Sequence, residues 1–176
     1  MNLTPVQQKF VLHWGEMGTR WGINRTVAQI HALLFLAEAP LNADDLTDTL
    51  KIARSNVSNS LKELQGWGIV HKAAVLGERR DHFVCEGDVW AMFQTILDER
   101  KKREIDPTLA LLKACVEEAE ASKTETDHTR RRLTDLHDMV QSLTGWYTQV
   151  RNLPTGAMIR FVKMGGKLRK VLGLAS

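Results

Sequence analysis

The sequence has few of the residues that mark disulfide scaffolds, long loops or membrane spans. It contains only two cysteines, Cys85 and Cys115, and four prolines in 176 residues. Two cysteines cannot build a disulfide framework, and their separation fits no metal-binding pair. We therefore interpret both as small buried side chains. The longest apolar run near the start lies within residues 31–37 and is too short to cross a bilayer.

Patterns typical of enzymes and metal sites are also missing. We find no Ser-His-Asp arrangement, no phosphate-binding glycine loop and no close pair of carboxylates. His82 and Cys85 are three positions apart in a candidate strand, a spacing that places them on opposite faces. We therefore predict that the protein is not an enzyme and has no metal or organic cofactor.

Residues 1–5 carry neither the basic segment nor the apolar segment of a secretory signal. On this basis we expect a cytoplasmic protein that does not associate with membranes.

Charge is distributed unevenly, although the net charge is only +3. Residues 51–80 hold six Lys or Arg against two acids, Glu63 and Glu78. Residues 155–176 hold five Lys or Arg and no acid. A positive zone of this kind favours an anionic partner such as nucleic acid.

The order of predicted elements is that of a winged helix-turn-helix. Thr4, Pro5 and Gln7 provide a capping box and a favourable first turn for an opening helix. Apolar periodicity then predicts helices over 24–38, 42–50 and 54–65, with a short break at 51–53. Two strands follow at 69–76 and 82–86, joined by a polar tip at 77–81. The expected fold class is mainly α with a small β-hairpin wing.

The helix over 54–65 is the candidate recognition helix. Val57, Leu61 and Leu64 share one face and should dock on the preceding helices. The opposite face is short, polar and almost free of acid, which suits contacts to base edges and phosphates in the major groove. The DNA-binding residues predicted there are Arg54, Ser55, Asn56, Ser58, Asn59 and Lys62.

The tip of the predicted hairpin carries Arg79 and Arg80. Guanidinium groups at such a tip can reach phosphates or the adjacent minor groove. A solubilising turn is the alternative for this feature taken alone. Because the polar helix face and the basic tip occur together, we predict that both bind double-stranded DNA.

These residues resemble a known family. Residues 41–46, 53–64 and 68–70 resemble the helix-turn-helix core of the MarR superfamily. The tip, with Gly77, Arg79 and Phe83, is similar to the wing of its GbsR-like branch, as is the opening segment with Trp14 and Gly15. The resemblance covers residues 3–90.

The resemblance implies a homodimeric transcriptional regulator, usually a repressor, in a branch associated with choline and glycine betaine metabolism. We assign residues 25–88 to the DNA-binding domain, and residues 1–24 and 89–176 to helical dimerisation extensions. A winged-helix module that docks protein instead of DNA is the alternative function.

The remainder of the chain is predicted to be helical, with a kink or restart at Pro107. One long helix carries an apolar seam with coiled-coil spacing. The seam consists of Leu133, Leu136, Val140, Leu143, Tyr147 and Val150. A last basic segment repeats the spacing with Met158, Phe161, Gly165, Leu168 and Leu172. We expect these stripes to pack against the same chain or a second copy. For the basic last segment, contact with DNA, a position on a membrane surface and simple exposure to water are the alternatives.

Five tryptophans are many for a chain of this length. Trp14 and Trp21 lie on the apolar stripe of the first helix, together with Val6, Phe10 and Met17. Packing in the core or the dimer seam is one interpretation of this stripe. The other is an effector site at Trp14 and Trp21 for a quaternary ammonium compound, held by cation–π attraction.

Overall fold

A computed structural model describes residues 2–164 of the chain. The chain divides into two compact units, the first ending at Thr95 and the second beginning at Ile96. None of the helices within the described residues is both long and apolar enough to span a membrane. The helices are α1 (Pro5–Arg20), α2 (Arg25–Leu36), α3 (Ala43–Leu50), α4 (Arg54–Gly66), α5 (Val89–Arg100), α6 (Asp106–Ala121), α7 (Asp127–Arg151) and α8 (Thr155–Lys163). The strands are β1 (Leu41–Asn42), β2 (Val70–Ala73) and β3 (His82–Cys85).

The predicted starts of α1 and α3 are confirmed, and both rest on local hydrogen bonds. The Thr4 side chain accepts from the backbone of Gln7, and the Gln7 side chain closes the capping box. At α3, Asn42 and Asp45 form the same reciprocal arrangement. The pair at α1 satisfies two backbone N–H groups that the helix leaves without an internal partner. The pair at α3 satisfies three, those of Asn42, Asp44 and Asp45.

The core of the first unit is built around α2. Ile30 and Leu33 are fully buried, and α1 and α4 pack on this helix. Val57, Leu61 and Leu64 of α4 are all buried, as the spacing predicted. Burial of this face fixes the orientation of α4, so its opposite face must point to solvent.

The most deeply buried residues of helix α1 lie beside its predicted apolar stripe, whose members are only partly buried or exposed. The buried residues are Val11, Gly15 and Gly18, whereas Val6 is 77% exposed. A Cβ placed on Gly18 would lie 2.6 Å from the Cβ of Ala28. The glycines therefore allow α1 and α2 to approach closely, which a search for large apolar residues does not detect.

The wing is part of a three-stranded antiparallel sheet with the order β1-β3-β2. Leu41 pairs with Phe83, and Val70 pairs with Cys85. The sequence predicted only two strands, with longer bounds of 69–76 and 82–86. Strand β1 has two residues and no periodicity of its own, so only its pairing with β3 defines it.

In the second unit, α6 and α7 form an antiparallel hairpin. Pro107 lies in the first turn of α6, directly after a π-helical segment at Lys101–Ile105, so the predicted restart is confirmed. The Arg130 guanidinium donates to the carbonyl of Ala119 at 2.9 Å and to that of Ser122 at 2.6 Å. These bonds satisfy carbonyls at the end of α6 and fasten the turn between the two helices.

The predicted seam of α7 has no fully buried member in the single chain. Leu136 is 45% exposed and Leu143 is 59% exposed. In the last segment, Met158 is buried, whereas Gly165, Leu168 and Leu172 lie outside the described residues. The seam thus keeps apolar surface that the described part of its own chain leaves uncovered.

Candidate nucleic-acid interface

All six polar side chains predicted for the recognition helix are exposed on α4. They are Arg54, Ser55, Asn56, Ser58, Asn59 and Lys62. Ser60, which the helical spacing did not single out, is buried with Val57. The N-cap residue Ala53 makes no side-chain bond to the helix start. The first turn of α4 therefore presents backbone N–H groups, with the positive end of the helix dipole, beside Arg54.

The wing tip presents Arg79 and Arg80 on the solvent side. Gly77 has a φ of 83°, a left-handed conformation that lets the chain turn directly after Leu76. Lys72 on β2 donates to Asp81 at 2.6 Å, across the base of the tip. Arg79 is exposed, and no ion pair with it occurs among residues 2–164. Its positive charge is therefore available to a ligand.

Arg80 is engaged within the free protein. Its Nη2 lies 3.1 Å from Oε2 of Glu78, and its Nη1 lies 3.6 Å from Oδ2 of Asp44. Hydrogen bonding to Glu78, followed by attraction to Glu78 and then Asp44, raises the pKa of Arg80 above its usual value. The same Asp44 carboxylate also accepts a hydrogen bond from Arg54. One carboxylate of α3 thus joins the first turn of α4 to the wing.

Asp44 was not among the DNA-binding residues predicted from the sequence. Capping is performed by its neighbours, since Asn42 accepts from the backbone and Asp45 reaches back to it. The Asp44 side chain is therefore free to point toward Arg54 and Arg80. Arg80 lies 36 positions further along the chain, and no local pattern in the sequence links it with Asp44.

Trp14 belongs to an aromatic cluster between α1 and α2. The ring centroids of Phe10 and Trp14 are 5.3 Å apart, and those of Trp14 and His31 are 6.2 Å apart. Phe35 completes the cluster, 6.5 Å from Phe10 and 6.5 Å from His31. Trp21 caps the end of α1 and is 46% exposed. An effector site at Trp14 and Trp21 stays a prediction.

His31 has a defined role inside this cluster. Trp14 Nε1 donates to its Nδ1 at 3.2 Å, so the proton of a neutral ring is on Nε2. Nε2 lies 3.1 Å from the sulfur of Met92 in α5. Burial lowers the pKa of His31 to about 4, so the ring is neutral at physiological pH. We interpret it as a structural link between α1, α2 and the start of α5.

Among residues 2–164, no group of three or more His, Cys, Asp or Glu side chains is arranged to hold a metal ion. Cys85 and Cys115 are both free thiols of intermediate burial, so the prediction that they are buried holds only in part. Burial also raises the pKa of the Cys85 thiol to about 11, which keeps it protonated.

Comparisons with known proteins agree with this geometry. Residues 21–81 match the MarR family. The chain is 23% identical over 158 residues to the HTH-type transcriptional repressor GbsR of Bacillus subtilis (strain 168), covering 84% of this chain and 85% of that protein.

Among solved structures, one described as the crystal structure of a transcriptional regulator aligns with a TM-score of 0.63 and 16% identity. The alignment covers 90% of this chain and 99% of that chain. A mutant of S. aureus MepR bound to an oligodeoxyribonucleotide aligns with a TM-score of 0.39 and 13% identity, over 78% of this chain and 92% of that one. At these identities the first alignment establishes similarity of fold.

Proposed function

We propose that this chain, whose residues 21–81 match the MarR family, is a sequence-specific repressor that binds double-stranded DNA as a homodimer. The observation that carries the proposal is the exposed face of α4, whose six outward side chains include no acid. The similarity to a protein named a transcriptional repressor supports the direction of regulation.

The chemistry of the two surfaces suggests a division of roles. An α-helix fits the major groove, where an Asn side chain can pair with both hydrogen-bonding groups of adenine. We assign Asn59, Ser55 and Asn56 to base or base-adjacent contacts, because they are short and project from the first two turns. Lys62, together with the arginines of α4 and the wing, supplies phosphate contacts, which add affinity without reading sequence. Ser58 flanks this face.

Replacement of Asn59 tests whether α4 reads sequence. Selection of bound duplexes from a random pool first gives the operator. Asn59→Ala should then weaken operator binding by about 1–3 kcal/mol and leave binding to random DNA nearly unchanged, because it removes a base contact and no charge. Asn152→Ala, at the end of α7, is the matched control. An unchanged ratio of operator to random affinity in Asn59→Ala would exclude this residue as a base reader.

The same assay separates DNA binding from protein docking. Contacts to phosphates release counterions, so a DNA-binding protein loses affinity steeply as salt rises. If the protein does not bind random duplex DNA even at low salt, or binds it with an affinity that does not fall as salt rises, the winged-helix protein-interaction module is favoured instead.

We assign the homodimer to the helical second unit. Its α7 exposes Met139 at 51%, Leu143 at 59% and Trp146 at 54%. Beside this face lies an apolar groove of about 560 Å³, lined by Leu97 and Ile105 together with Val140 and Tyr147 of α7. Contiguous apolar surface of this kind marks an interaction site, and a symmetric dimer buries the same patch of both subunits. Two recognition helices would then read two halves of one operator.

A small cationic effector at Trp14 is the last part of the proposal. Trp14 lies in an aromatic cluster at the α1–α2 contact, and aromatic faces attract quaternary ammonium groups. A ligand there can regulate DNA binding only if it favours one arrangement of the recognition helices. Trp21, at the end of the same helix, is the second residue assigned to this site.

Titration with choline and with glycine betaine tests the effector assignment. We expect millimolar ligand to change tryptophan fluorescence and to weaken operator binding, and Trp14→Phe to reduce both responses because indole is the strongest cation–π partner. Trp90→Phe, at the start of α5, should respond like the wild type. If neither signal changes with either compound, these two ligands are excluded.

A further inference from the structure

The salt bridges around Asp44 form a chain of four charged groups within the proposed DNA-binding surface. Arg54 pairs with Asp44, Asp44 pairs with Arg80, and Arg80 pairs with Glu78. The chain connects α3, the first turn of α4 and the wing tip. The basic side chains of this surface are Arg54, Lys62, Arg79 and Arg80. In the free protein the positive charges of Arg54 and Arg80 are offset by the negative charges of Asp44 and Glu78.

The positions of α4 and the wing do not depend on these ion pairs. Val57 and Leu64 anchor α4 in the core with 0% of their surface exposed. Strand β3 is held on both sides, by β1 and by β2. The side chains of Arg54 and Arg80 are 65% and 52% exposed, where an ion pair contributes little to stability. The carboxylate of Asp44 is therefore not required to place the two arginines.

The Asp44 carboxylate occupies the donors that phosphate would use. A guanidinium binds carboxylate and phosphate through the same N–H groups. Phosphates approaching Arg54 and Arg80 must therefore displace Asp44 or share the arginines with it. If Asp44 stays close, its negative charge also repels the DNA backbone.

We propose that Asp44 is an internal competitor for the DNA backbone, which holds Arg54 and Arg80 in the free protein and sets the affinity of the interface. This inference rests on the proposed DNA-binding function. Competition at phosphate contacts acts equally on every sequence, because such contacts carry no base information. Asp44 therefore lowers operator and random affinity by the same factor and limits occupation of non-specific DNA.

Asp44→Asn keeps the shape of the side chain and removes its charge. At about 0.1 M salt we expect this variant to bind both operator and random duplex about three- to tenfold more tightly. The slope of log K against log salt should become steeper by roughly 0.9 for each arginine released, per subunit. Asp48→Asn removes an equal charge one turn further along α3 and should bind like the wild type. Thermal unfolding of both variants confirms that the fold is retained.

A second pair of variants shows whether the effect acts through the arginines. In a background of Arg54→Ala with Arg80→Ala, Asp44→Asn should have no further effect. The inference is overturned if Asp44→Asn binds no more tightly than the wild type, or if its gain persists without the two arginines. Wild-type protein with no salt-dependent DNA binding would instead overturn the proposed function, and this inference with it.

Discussion

Met139→Asp combined with Leu143→Asp should convert the proposed dimer into monomers and weaken operator binding by more than about a hundredfold, since two linked half-site contacts become two independent ones. Both side chains are at least half exposed in the single chain, so the substitutions leave its own core intact. Burying two carboxylates without partners in an apolar interface is strongly unfavourable. Size-exclusion chromatography with light scattering gives the oligomeric state, and anisotropy with labelled operator gives the affinity.

Gln141→Asp is the matched control for this prediction. Gln141 lies on the same helix, about 200° away from Leu143 at 100° per residue, and is exposed. The control adds the same charged group to α7 without touching the apolar face. A double variant that elutes as a stable, folded dimer would place the interface elsewhere, for example on α1.

Gly18→Val should destabilise the first unit by about 3 kcal/mol, because even the first carbon of the new side chain overlaps a neighbouring helix. That carbon would lie 2.6 Å from the Cβ of Ala28, which is only 5% exposed and cannot move aside. Helices α1 and α2 must therefore separate, and their buried contacts weaken. Urea denaturation followed by circular dichroism measures the loss.

Gly145→Val provides the comparison. Gly145 is within α7, and a Cβ placed there would meet no atom within 4 Å. Valine has a slightly higher helix propensity than glycine, so this variant should be as stable as the wild type or a few tenths of a kcal/mol more stable. Equal losses in the two variants would show that the α1–α2 contact is not the cause. The Trp14–His31 hydrogen bond should weaken in Gly18→Val alone, with a change in tryptophan emission.

Much of the candidate DNA-binding surface follows from short stretches of sequence. Val57, Leu61 and Leu64 recur with the helical period, so the inward face of α4, and with it the outward position of Asn59, could be predicted without a structure. Asn42 with Asp45 fixes the start of α3 in the same way. These features depend on residues within one or two helical turns, where backbone geometry alone decides which side chains are neighbours.

Three features of the fold depend on contacts between segments that are far apart in the sequence. Strand β1 exists because Leu41 pairs with Phe83, and two residues have no detectable period of their own. The buried face of α1 contains Gly15 and Gly18, because small residues are needed where α1 lies close to Ala28 of α2. Arg54 and Arg80 both pair with Asp44, because the folded chain brings the wing tip beside α3.

The sequence by itself determined the order of the helices and of the two hairpin strands, the caps of α1 and α3 and the polar face of α4, because each follows from the local periodicity and hydrogen-bonding capacity of the backbone. Only the tertiary structure decided that Arg79 is unpaired among the described residues while Arg80 is held by Asp44 and Glu78. The two arginines are adjacent in the sequence and chemically identical. Their environments differ because the folded chain brings carboxylates from α3 and the wing tip to one of them.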